Sequence, residues 1–522
     1  MPSISEPTNS TAPKINHITL VRPPVISSLN SFSAPATAPL ALAYLSASLL
    51  EAGFEVTPID GVGEAIEQIL VYEDPVCRVR GLKISEILER IPKKTSLIAV
   101  SCMFSQEWLF VRKIISAIKE EFPDIPVILG GEHATAIPVK VLETTPEIEL
   151  CAIGEGESAI VDIARNFFAT PEKVAGIVYR APDGTIVQTP RRPRIEDLES
   201  IPRPAWDLLP LEAYLGGGYG HGINDGRSMP ILATRGCPFQ CAFCSSKEMW
   251  TQRYHARDPR DVVDEIEGYV GKYKIDTVEF FDLTAVVKKD WIMEFGRLLK
   301  ERKLNISWSL PSGTRSEALD EEVTKLMAET NCKYLVYAAE SGSPKMLEYI
   351  KKKIKLDRML GSMRSAKRNG LSLRCNLIAG FPKETRWDTL QTIWFQMKLA
   401  IIGVDDAPIY LFSPYPGSDL FRYLQETGRI PELDDDYYRT LLCQMDLTKS
   451  STYCENMGPR ELVFYRVTGM CLFYGLSYLL RPARIFRSLK NIFVTKRTAT
   501  VFEQRLVELL KTVGQIRKNQ AR

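Results

Sequence analysis

The sequence predicts an α/β protein built from two successive parallel sheets and a helical C-terminal region. Short apolar segments alternate with helical segments in residues 15–165 and again in residues 229–430, which is typical of βα units. A Pro- and Gly-rich linker, residues 166–228, separates the two series, and residues 431–522 are mainly helical in pattern.

Composition excludes several classes of protein. The hydrophobic fraction of 45% and the charged fraction of 25% are ordinary for a soluble globular chain of 522 residues. A net charge of +2 gives no global nucleic-acid footprint, so we expect no nucleic-acid partner. Eleven Cys, an odd number, fit a reduced compartment and predict a cytoplasmic protein. Residues 1–14 are expected to form a disordered tail, and the longest apolar run, residues 467–480, falls short of the ~20 residues of a membrane span.

The first series predicts a parallel sheet that presents Gly-rich loops at one edge. Strands are expected at 15–21, 54–59, 97–101, 126–129 and 149–153, with helices at 40–52 and 107–121. In such sheets ligands bind beyond the carboxyl ends of the strands. These ends carry Asp60-Gly61, Ser101-Cys102-Met103, Gly130-Gly131-Glu132-His133 and Gly154-Glu155-Gly156-Glu157.

The linker contains a predicted hairpin. Segments 174–179 and 185–188 flank Pro182-Asp183-Gly184, and a run of prolines and three glycines, 216–218, follows.

The second series predicts an open partial (βα)6 barrel. Strands are expected at 230–234, 277–281, 306–310, 334–338, 373–378 and 409–412, with helices such as 260–273, 289–302 and 321–329 between them. Chemistry in βα barrels takes place at the carboxyl ends of the strands.

Three cysteines follow the first strand of this series. Cys237, Cys241 and Cys244 have the spacing C-x3-C-x2-C, and thiolates are the usual ligands of [4Fe–4S] clusters. Three ligands leave one iron open to a substrate or cosubstrate. The alternatives are three buried free thiols or a zinc knuckle, but structural zinc needs four ligands, and His255 stands alone nearby.

At these residues the chain resembles the radical SAM superfamily, whose hallmark is this spacing with an aromatic residue before the third Cys. The resemblance covers roughly 230–430 and includes the stretches 277–282, 339–343, 376–384 and 413–418, although the usual Gly-Gly-Glu is absent from the first of these. It implies that S-adenosylmethionine (SAM) binds the open iron and is cleaved to a 5′-deoxyadenosyl radical. The implied SAM contacts are Phe243, Glu279, Asp282, Glu340, Ser341, Asn376, Ile378 and Gly380.

Residues 15–165 resemble the flavodoxin-like, cobalamin-binding module found ahead of radical SAM domains. The implied cobalamin contacts are Ser101, Met103, Phe104, Gly130, Gly131, Glu132, His133, Thr135, Gly154, Gly156 and Glu157. The Asp-x-His-x-x-Gly motif of His-ligated cobalamin proteins is absent, so we expect cobalt without a histidine lower ligand. The alternative is a vestigial domain that binds nothing or another flat cofactor.

The whole arrangement resembles the class that includes radical C-methylases and the anaerobic magnesium-protoporphyrin monomethyl ester cyclase. It implies methylation of an unactivated carbon in a small-molecule or lipid-like substrate, with a reductant such as flavodoxin or ferredoxin. The alternatives are radical oxidation or cyclisation without methyl transfer, and a non-catalytic cofactor-binding sensor. No residue pattern identifies the substrate or a catalytic acid or base.

The C-terminal region is strongly basic. Residues 481–522 carry eleven Lys and Arg against two Glu, with apolar residues between them. One interpretation is an amphipathic helix in peripheral contact with an anionic membrane. The other is a solvated basic face over a capping helix.

Overall fold

The computed structural model describes residues 15–31, 36–223, 225–442, 446, 452–495, 498–500 and 502–510. The predicted tail at residues 1–14 and the end of the basic segment, residues 511–522, lie outside the described residues. Two large sheets, each with helices around it, and a helical C-terminal region confirm the predicted α/β fold class.

Within its described residues, 15–31 and 36–188, the N-terminal part contains ten strands and six α-helices. The strands are β1 (His17–Arg22), β2 (Val25–Ser27), β3 (Glu55–Asp60), β4 (Ile69–Glu73), β5 (Val76–Arg80), β6 (Leu97–Ser101), β7 (Val127–Gly130), β8 (Leu150–Ala152), β9 (Ile177–Arg180) and β10 (Ile186–Gln188). The helices are α1 (Leu40–Glu51), α2 (Ile84–Leu88), α3 (Trp108–Glu121), α4 (Glu132–Ala136), α5 (Pro138–Thr144) and α6 (Gly156–Asn166).

Seven of these strands form one sheet in the order β10-β9-β8-β7-β6-β1-β3. The five predicted strands, β1, β3, β6, β7 and β8, run parallel. Strand β1 is buried along nearly its whole length, as expected for a central strand covered on both faces.

Two features of this part differ from the prediction. The hairpin that we placed in the linker, now β9 and β10, extends the N-terminal sheet, because β9 pairs antiparallel with β8. A separate antiparallel sheet of β2, β5 and β4 was not predicted, because its short strands lie between βα units and lack their pattern.

The second part contains the predicted barrel. After the linker helix α7 (Leu211–Gly217), its strands are β11 (Ser228–Ile231), β12 (Thr234–Arg235), β13 (His255–Ala256), β14 (Thr277–Phe280), β15 (Ser307–Thr314), β16 (Cys332–Glu340), β17 (Ser372–Ala379) and β18 (Ile409–Leu411). Its helices are α8 (Ser246–Trp250), α9 (Pro259–Tyr273), α10 (Lys289–Glu301), α11 (Glu321–Glu329), α12 (Pro344–Tyr349), α13 (Leu356–Arg368) and α14 (Arg386–Ile402).

Six parallel strands form an open sheet in the order β11-β14-β15-β16-β17-β18, as predicted. The predicted strand at 230–234 is two strands: β11 belongs to the barrel, whereas β12 pairs with β13 in a small ribbon. Side chains alternate along each strand. Val278, Trp308 and Cys375 lie in the core shared with the surrounding helices, so their neighbours Glu279, Ser309 and Asn376 face the barrel interior.

Capping residues fix where the barrel helices begin and end. The Asp258 carboxylate accepts a hydrogen bond from the Arg260 amide at the start of α9, where Pro259 occupies the first helical position. Helix α14 begins with a capping box formed by Thr385 and Asp388, and it ends at Gly403, whose φ of 93° suits glycine.

The C-terminal region is helical, as predicted. It contains α15 (Asp419–Glu426), α16 (Asp435–Leu441), α17 (Pro459–Leu480), α18 (Ala483–Lys490), a π-helical turn at Asn491–Thr495 and a helical segment at 502–510. Helix α17 has 22 residues and is long and apolar enough to cross a membrane by length and composition. It is longer than the apolar run in the sequence because it continues through Arg466, whose side chain is buried.

The two large sheets present their carboxyl ends to each other. Glu132, which follows β7, accepts a hydrogen bond from Ser245 beside the cysteine loop. Tyr415, which follows β18, donates to Gln106 after β6, at 2.9 Å. The edges at which both sheets were predicted to bind ligands therefore face each other. The region between these two edges is called the seam.

Candidate active site

The three cysteines lie together on the loop between the ribbon strand β12 and helix α8. Cys237, Cys241 and Cys244 are free thiols of intermediate exposure. Burial raises the pKa of all three, whereas the positive charges of Lys352 and Arg315 act in the opposite direction on Cys237 and Cys241. Cations near a thiol stabilise the thiolate, which is the form that binds iron.

The described residues contain no group of three or more His, Cys, Asp or Glu arranged around a single metal ion. The three cysteines are therefore not arranged as the ligands of a mononuclear zinc site would be. In a [4Fe–4S] cluster each thiolate binds its own iron, so the three sulfurs do not need to meet at one point. The donor set therefore fits an iron–sulfur cluster with three protein ligands.

The cysteine loop is fixed by the rest of the fold. The Ala242 amide donates to the Ile350 carbonyl and the Ala242 carbonyl accepts from the Leu420 amide, both at 2.9 Å. Gly236 has a φ of 85°, and a Cβ there would lie 2.0 Å from the Arg253 carbonyl oxygen, so only glycine fits. A second attachment lies beside α8, where Asp419 pairs with Lys247, Lys351 and Arg422.

Glu340 and Ser341 lie at the carboxyl end of β16, close to this loop. Glu340 has a φ of 65°, which is unusual for a residue other than glycine. Its carboxylate accepts a 3.0 Å hydrogen bond from the ammonium of Lys352, and both side chains are buried. The Ser341 hydroxyl lies 3.1 Å from that of Thr392 on α14. The charges of Glu340 and Lys352 both act on Cys241, which places this ion pair beside the loop.

Strand β17 carries the next predicted residues. Asn376 and Ile378 are two apart and share the inner face of the strand. The Asn376 side chain accepts from Arg374 Nε at 2.8 Å. Gly380 follows the strand with a φ of 89°, and its amide donates to buried Glu384 at 2.6 Å. Phe243 of the cysteine loop lies 5.8 Å, ring to ring, from Phe381, so this strand end meets the loop.

Glu279 and Asp282 are placed differently from the other predicted SAM contacts. Both oxygens of Glu279 are used by the linker, since they accept from the amides of His221 and Gly222 at 2.9 and 2.8 Å. Asp282 accepts from the hydroxyl of Thr234, just before the cysteine loop, and burial raises its pKa to about 6. Both carboxylates therefore hold polypeptide segments in the structure.

The opposite edge of the seam has open space beside its glycines. A Cβ on Gly130 would meet no atom within 4 Å, and one on Gly154 would meet only the Met249 carbonyl oxygen, at 3.8 Å. Phe104 is exposed at this edge, while Ser101 and Met103 are of intermediate exposure. An open, partly apolar edge of this kind suits a broad, flat ligand such as a corrin.

Gly131 and Thr135 shape this edge. Gly131 has a φ of 106°, and a Cβ there would lie 2.4 Å from the Cys102 carbonyl oxygen. The Thr135 hydroxyl accepts from the Gly154 amide at 3.1 Å and so joins the loops after β7 and β8.

His133 is not at the edge where the sequence placed it. Its side chain is 1% exposed, its Nδ1 lies 2.9 Å from the Ser105 hydroxyl, and its ring packs 4.7 Å from that of Trp108. Burial lowers its pKa to about 3, so the imidazole is neutral. The ring points into the core because α4 begins immediately after Gly131 and turns this side of the helix inward.

Gly156 and Glu157 contribute to packing and to an ionic cluster. A Cβ on Gly156 would lie 2.8 Å from Leu45 Cδ2, so glycine allows α6 to pack closely on α1. Glu157 pairs with Arg235, which also contacts Glu155 at 3.2 Å.

Arg235 and Arg194 complete this cluster, and the sequence did not reveal their role. Arg194 pairs with Glu155 at 2.6 Å, and both arginines lie over the ring of Trp250. Glu155 and Glu157 follow strand β8 of the N-terminal sheet, and Arg235 lies two positions before Cys237. The cluster of two acidic and two basic residues therefore links that sheet to the start of the cysteine loop. The only signal in the sequence was a basic residue directly before Gly236.

Two family models match the sequence. The model of the Radical SAM superfamily matches residues 231–395, and that of the B12 binding domain matches residues 33–164. The chain is also similar to an uncharacterized methyltransferase of Pyrococcus horikoshii, with 29% identity over 488 residues, 93% of this chain and 97% of the relative.

A second relative is the anaerobic magnesium-protoporphyrin IX monomethyl ester cyclase of Rubrivivax gelatinosus, 30% identical over 340 residues, 64% of this chain and 59% of the relative. Among solved structures, the cobalamin-dependent S-adenosylmethionine radical enzyme OxsB, with aqua-cobalamin and S-adenosylmethionine bound, has a TM-score of 0.66 at 14% identity. The structural similarity covers 97% of this chain and 80% of OxsB, and it shows that the two proteins share a fold.

These matches confirm the cofactors predicted from the sequence. A radical SAM domain implies a [4Fe–4S] cluster and SAM, and a B12-binding domain implies cobalamin. The matches identify the chain as an enzyme, which argues against a non-catalytic sensor. The chain belongs to the radical SAM enzymes that carry a B12-binding domain ahead of the barrel.

Proposed function

We propose that this enzyme methylates an unactivated carbon of a small-molecule or lipid-like substrate. The observation that carries the proposal is the seam itself, where the cysteine loop and the open glycine edge face each other. The Ser245–Glu132 hydrogen bond and the approach of Gly154 to Met249 join the two edges directly. A substrate in this seam would be within reach of both cofactors.

Cys237, Cys241 and Cys244 are the proposed ligands of the cluster. The proposed SAM site lies beside them, at the carboxyl ends of β16 and β17. Glu340 and Ser341 suit the polar end of SAM, while Asn376, Ile378, Gly380 and Phe243 suit its adenosyl part. Asp282 and Glu279 are proposed to act through the segments they hold, because their oxygens already accept hydrogen bonds from the protein.

Cobalamin is proposed to bind along the edge formed by the loops after β6, β7 and β8. Ser101, Met103, Phe104, Gly130 and Gly154 supply the surface, and Gly131, Glu132 and Thr135 hold its shape. The buried position of His133 supports the expectation of cobalt without a histidine lower ligand, because its ring is held in the core by Ser105 and Trp108.

When bound, these cofactors supply a 5′-deoxyadenosyl radical for hydrogen abstraction and a methyl group for transfer to carbon. In this proposal the chain's own residues bind and orient the reactants. Glu340 holds the ammonium of Lys352 near Cys241, where its positive charge favours the thiolate and the negative charge of Glu340 acts against it. No side chain is assigned as general acid or base.

One alternative has specific support. The similarity to a magnesium-protoporphyrin ester cyclase favours radical oxidation or cyclisation without methyl transfer as the second candidate. It uses the same cysteines and the same SAM site, so the geometry of the seam does not separate the two.

Product analysis separates them. The anaerobically reconstituted enzyme is incubated with SAM, a reductant and extracts of host metabolites, and the products are measured by mass spectrometry. A methylase releases both 5′-deoxyadenosine and S-adenosylhomocysteine and adds a methyl mass to one metabolite. Release of 5′-deoxyadenosine alone, with loss of hydrogen from a metabolite, would contradict methylation and support the cyclase-like reaction.

The proposal includes two further partners. A one-electron donor such as flavodoxin or ferredoxin would reduce the cluster. Peripheral contact of the C-terminal region with a membrane would bring the seam close to a lipid-like substrate.

A further inference from the structure

Helix α14 has an apolar outer face that was not predicted from the sequence. Trp387, Leu390, Trp394 and Ile401 lie at positions i, i+3, i+7 and i+14, which is one side of an α-helix. All four are exposed, Trp387 to 68% and Trp394 to 61%. Large apolar side chains exposed together on one side of a helix mark an interaction surface.

Helix α17 lies beside α14 and runs in the same direction. Arg386 pairs with Glu461 at 2.6 Å at one end, and Arg481 donates to the carbonyls of Ala400 and Ile401 at the other. Phe464, near the start of α17, and Leu479, near its end, are also exposed. The two helices together present one outer face about 25 Å long, at 1.5 Å per residue.

The inner side of α17 is committed to the protein. Leu462, Arg466, Gly469, Phe473 and Ser477 are buried, and they recur at the spacing of one helix face. A Cβ on Gly469 would lie 2.7 Å from Ile409 Cδ1 in the barrel. A membrane-spanning position would break this packing, so α17 suits a position along a membrane surface.

Helix α18 and the π-helical turn follow directly after α17 and also expose apolar residues. Phe486, Leu489 and Phe493 are exposed there, Phe486 to 74%. Lys398, Arg487 and Lys490 are exposed basic residues around the apolar face.

Acidic groups are nearly absent from this surface. The segments 386–402 and 459–495 contain two acidic residues. Asp388 is buried, and Glu461 is paired with Arg386. Arg487 pairs with buried Asp405 at 3.5 Å, whereas Lys398 and Lys490 have no acidic partner among the described residues. Apolar and aromatic residues edged by such basic charge match a bilayer with anionic headgroups.

We propose that the outer face of α14 and α17, together with α18, binds the surface of an anionic lipid bilayer. The two tryptophans enter the interfacial layer, and Lys398 and Lys490 contact the headgroups. This binding does not depend on the cluster, SAM or cobalamin. It orients the enzyme on a membrane and extends the expected basic contact at the C-terminus to a helix of the barrel itself.

Vesicle flotation of the full-length protein tests the proposal. Wild-type protein should float with mixed phosphatidylcholine and phosphatidylglycerol vesicles, and less with phosphatidylcholine alone. The variant W387S/W394S should need about tenfold more lipid for half-maximal binding. The variant K398Q/K490Q should lose about fivefold per removed charge, and high salt should lower wild-type binding in the same way.

The matched control is V71T/V76T, which changes two equally exposed valines on the β4–β5 hairpin. It should bind vesicles like wild type. Failure of wild type to float with either vesicle would overturn the proposal and assign the face to a protein partner. Equal binding by W387S/W394S and wild type would also overturn it. Formation of 5′-deoxyadenosine, measured without lipid, tests the proposed reaction separately.

Discussion

Replacing Arg235 by Met should weaken the contact between the N-terminal sheet and the cysteine loop. The Arg235 side chain is 4% exposed and lies between Glu155 and Glu157, with the rings of Tyr44 and Trp250 at 5.5 and 5.6 Å. Methionine keeps much of the apolar volume and removes the charge. The change therefore tests the ionic cluster more than the packing.

The structure sets the size of the effect. Removing one partner of a buried ion pair costs about 3–5 kcal/mol, because the other charge remains buried. Glu155 keeps its 2.6 Å pair with Arg194, but Glu157 loses its only ion-pair partner among the described residues. The lower end, about 3 kcal/mol, is therefore expected, which corresponds to a fall of roughly 6–12 °C in the unfolding midpoint of the N-terminal domain.

Thermal unfolding and limited proteolysis of the linker measure this loss. A second change, Glu157→Gln in the Arg235→Met background, should recover about 1–3 kcal/mol, because it removes the stranded charge. The control is Arg297→Met, which breaks exposed pairs with Glu294 and Glu301 and should shift the midpoint by less than about 3 °C. An unchanged midpoint for Arg235→Met, or no recovery in the double variant, would refute the reasoning.

Three further predictions concern the cofactor sites and a buried carboxyl. Cys241→Ala should abolish iron binding and 5′-deoxyadenosine formation, whereas Cys471→Ala, at an exposed thiol, should keep both; iron retained by Cys241→Ala would contradict the ligand assignment. Gly130→Leu should fold normally and lose cobalamin, measured as cobalt content, because its side chain enters open space, while Gly131→Ala should lower the unfolding midpoint; full cobalt content in Gly130→Leu would argue against the proposed edge. Burial raises the pKa of Glu384 to about 7. The protonated carboxyl therefore contributes to the free energy of unfolding in full below pH 4.5, its ordinary pKa, and this contribution is lost as the pH rises through 7. Wild type should lose roughly 2–3 kcal/mol more stability than Glu384→Gln between pH 5 and 8, measured by unfolding midpoints, and parallel pH profiles would disprove this.

The alternation of strands and helices was sufficient to predict both parallel sheets. Strand β6 and helix α11 have the predicted bounds, because local pattern and end signals coincide there. The β9–β10 hairpin was predicted as a hairpin, but its place in the N-terminal sheet depends on pairing with β8. Such pairing depends on tertiary contacts, which a local sequence pattern does not predict.

The candidate site shows the same division. The spacing of the three cysteines was visible in the sequence, and so were the glycines at the strand ends. The ionic cluster was not, because Arg235 lies 80 residues from Glu155 and 78 from Glu157, and a charged residue alone usually indicates a solvated surface. Lys352 was missed for the same reason, since it stands in a run of lysines that resembles an exposed loop.

The outer face of α14 was missed for a different reason. Its apolar residues follow the whole circumference of the helix, so Trp387 and Trp394 have the appearance of core residues in the sequence. Only burial distinguishes the side that meets the barrel from the side that meets solvent.

The two hydrogen bonds at Ala242 have a consequence for how the enzyme acquires its metal. They attach the loop between the second and third thiols to neighbouring loops by polypeptide contacts alone. The entropy of ordering this segment is therefore lost during folding, unlike in small zinc domains that fold only when metal binds. We therefore expect assembly of the cluster to be a local event on a folded scaffold, so that an enzyme whose cluster has been destroyed by oxygen should regain it without unfolding.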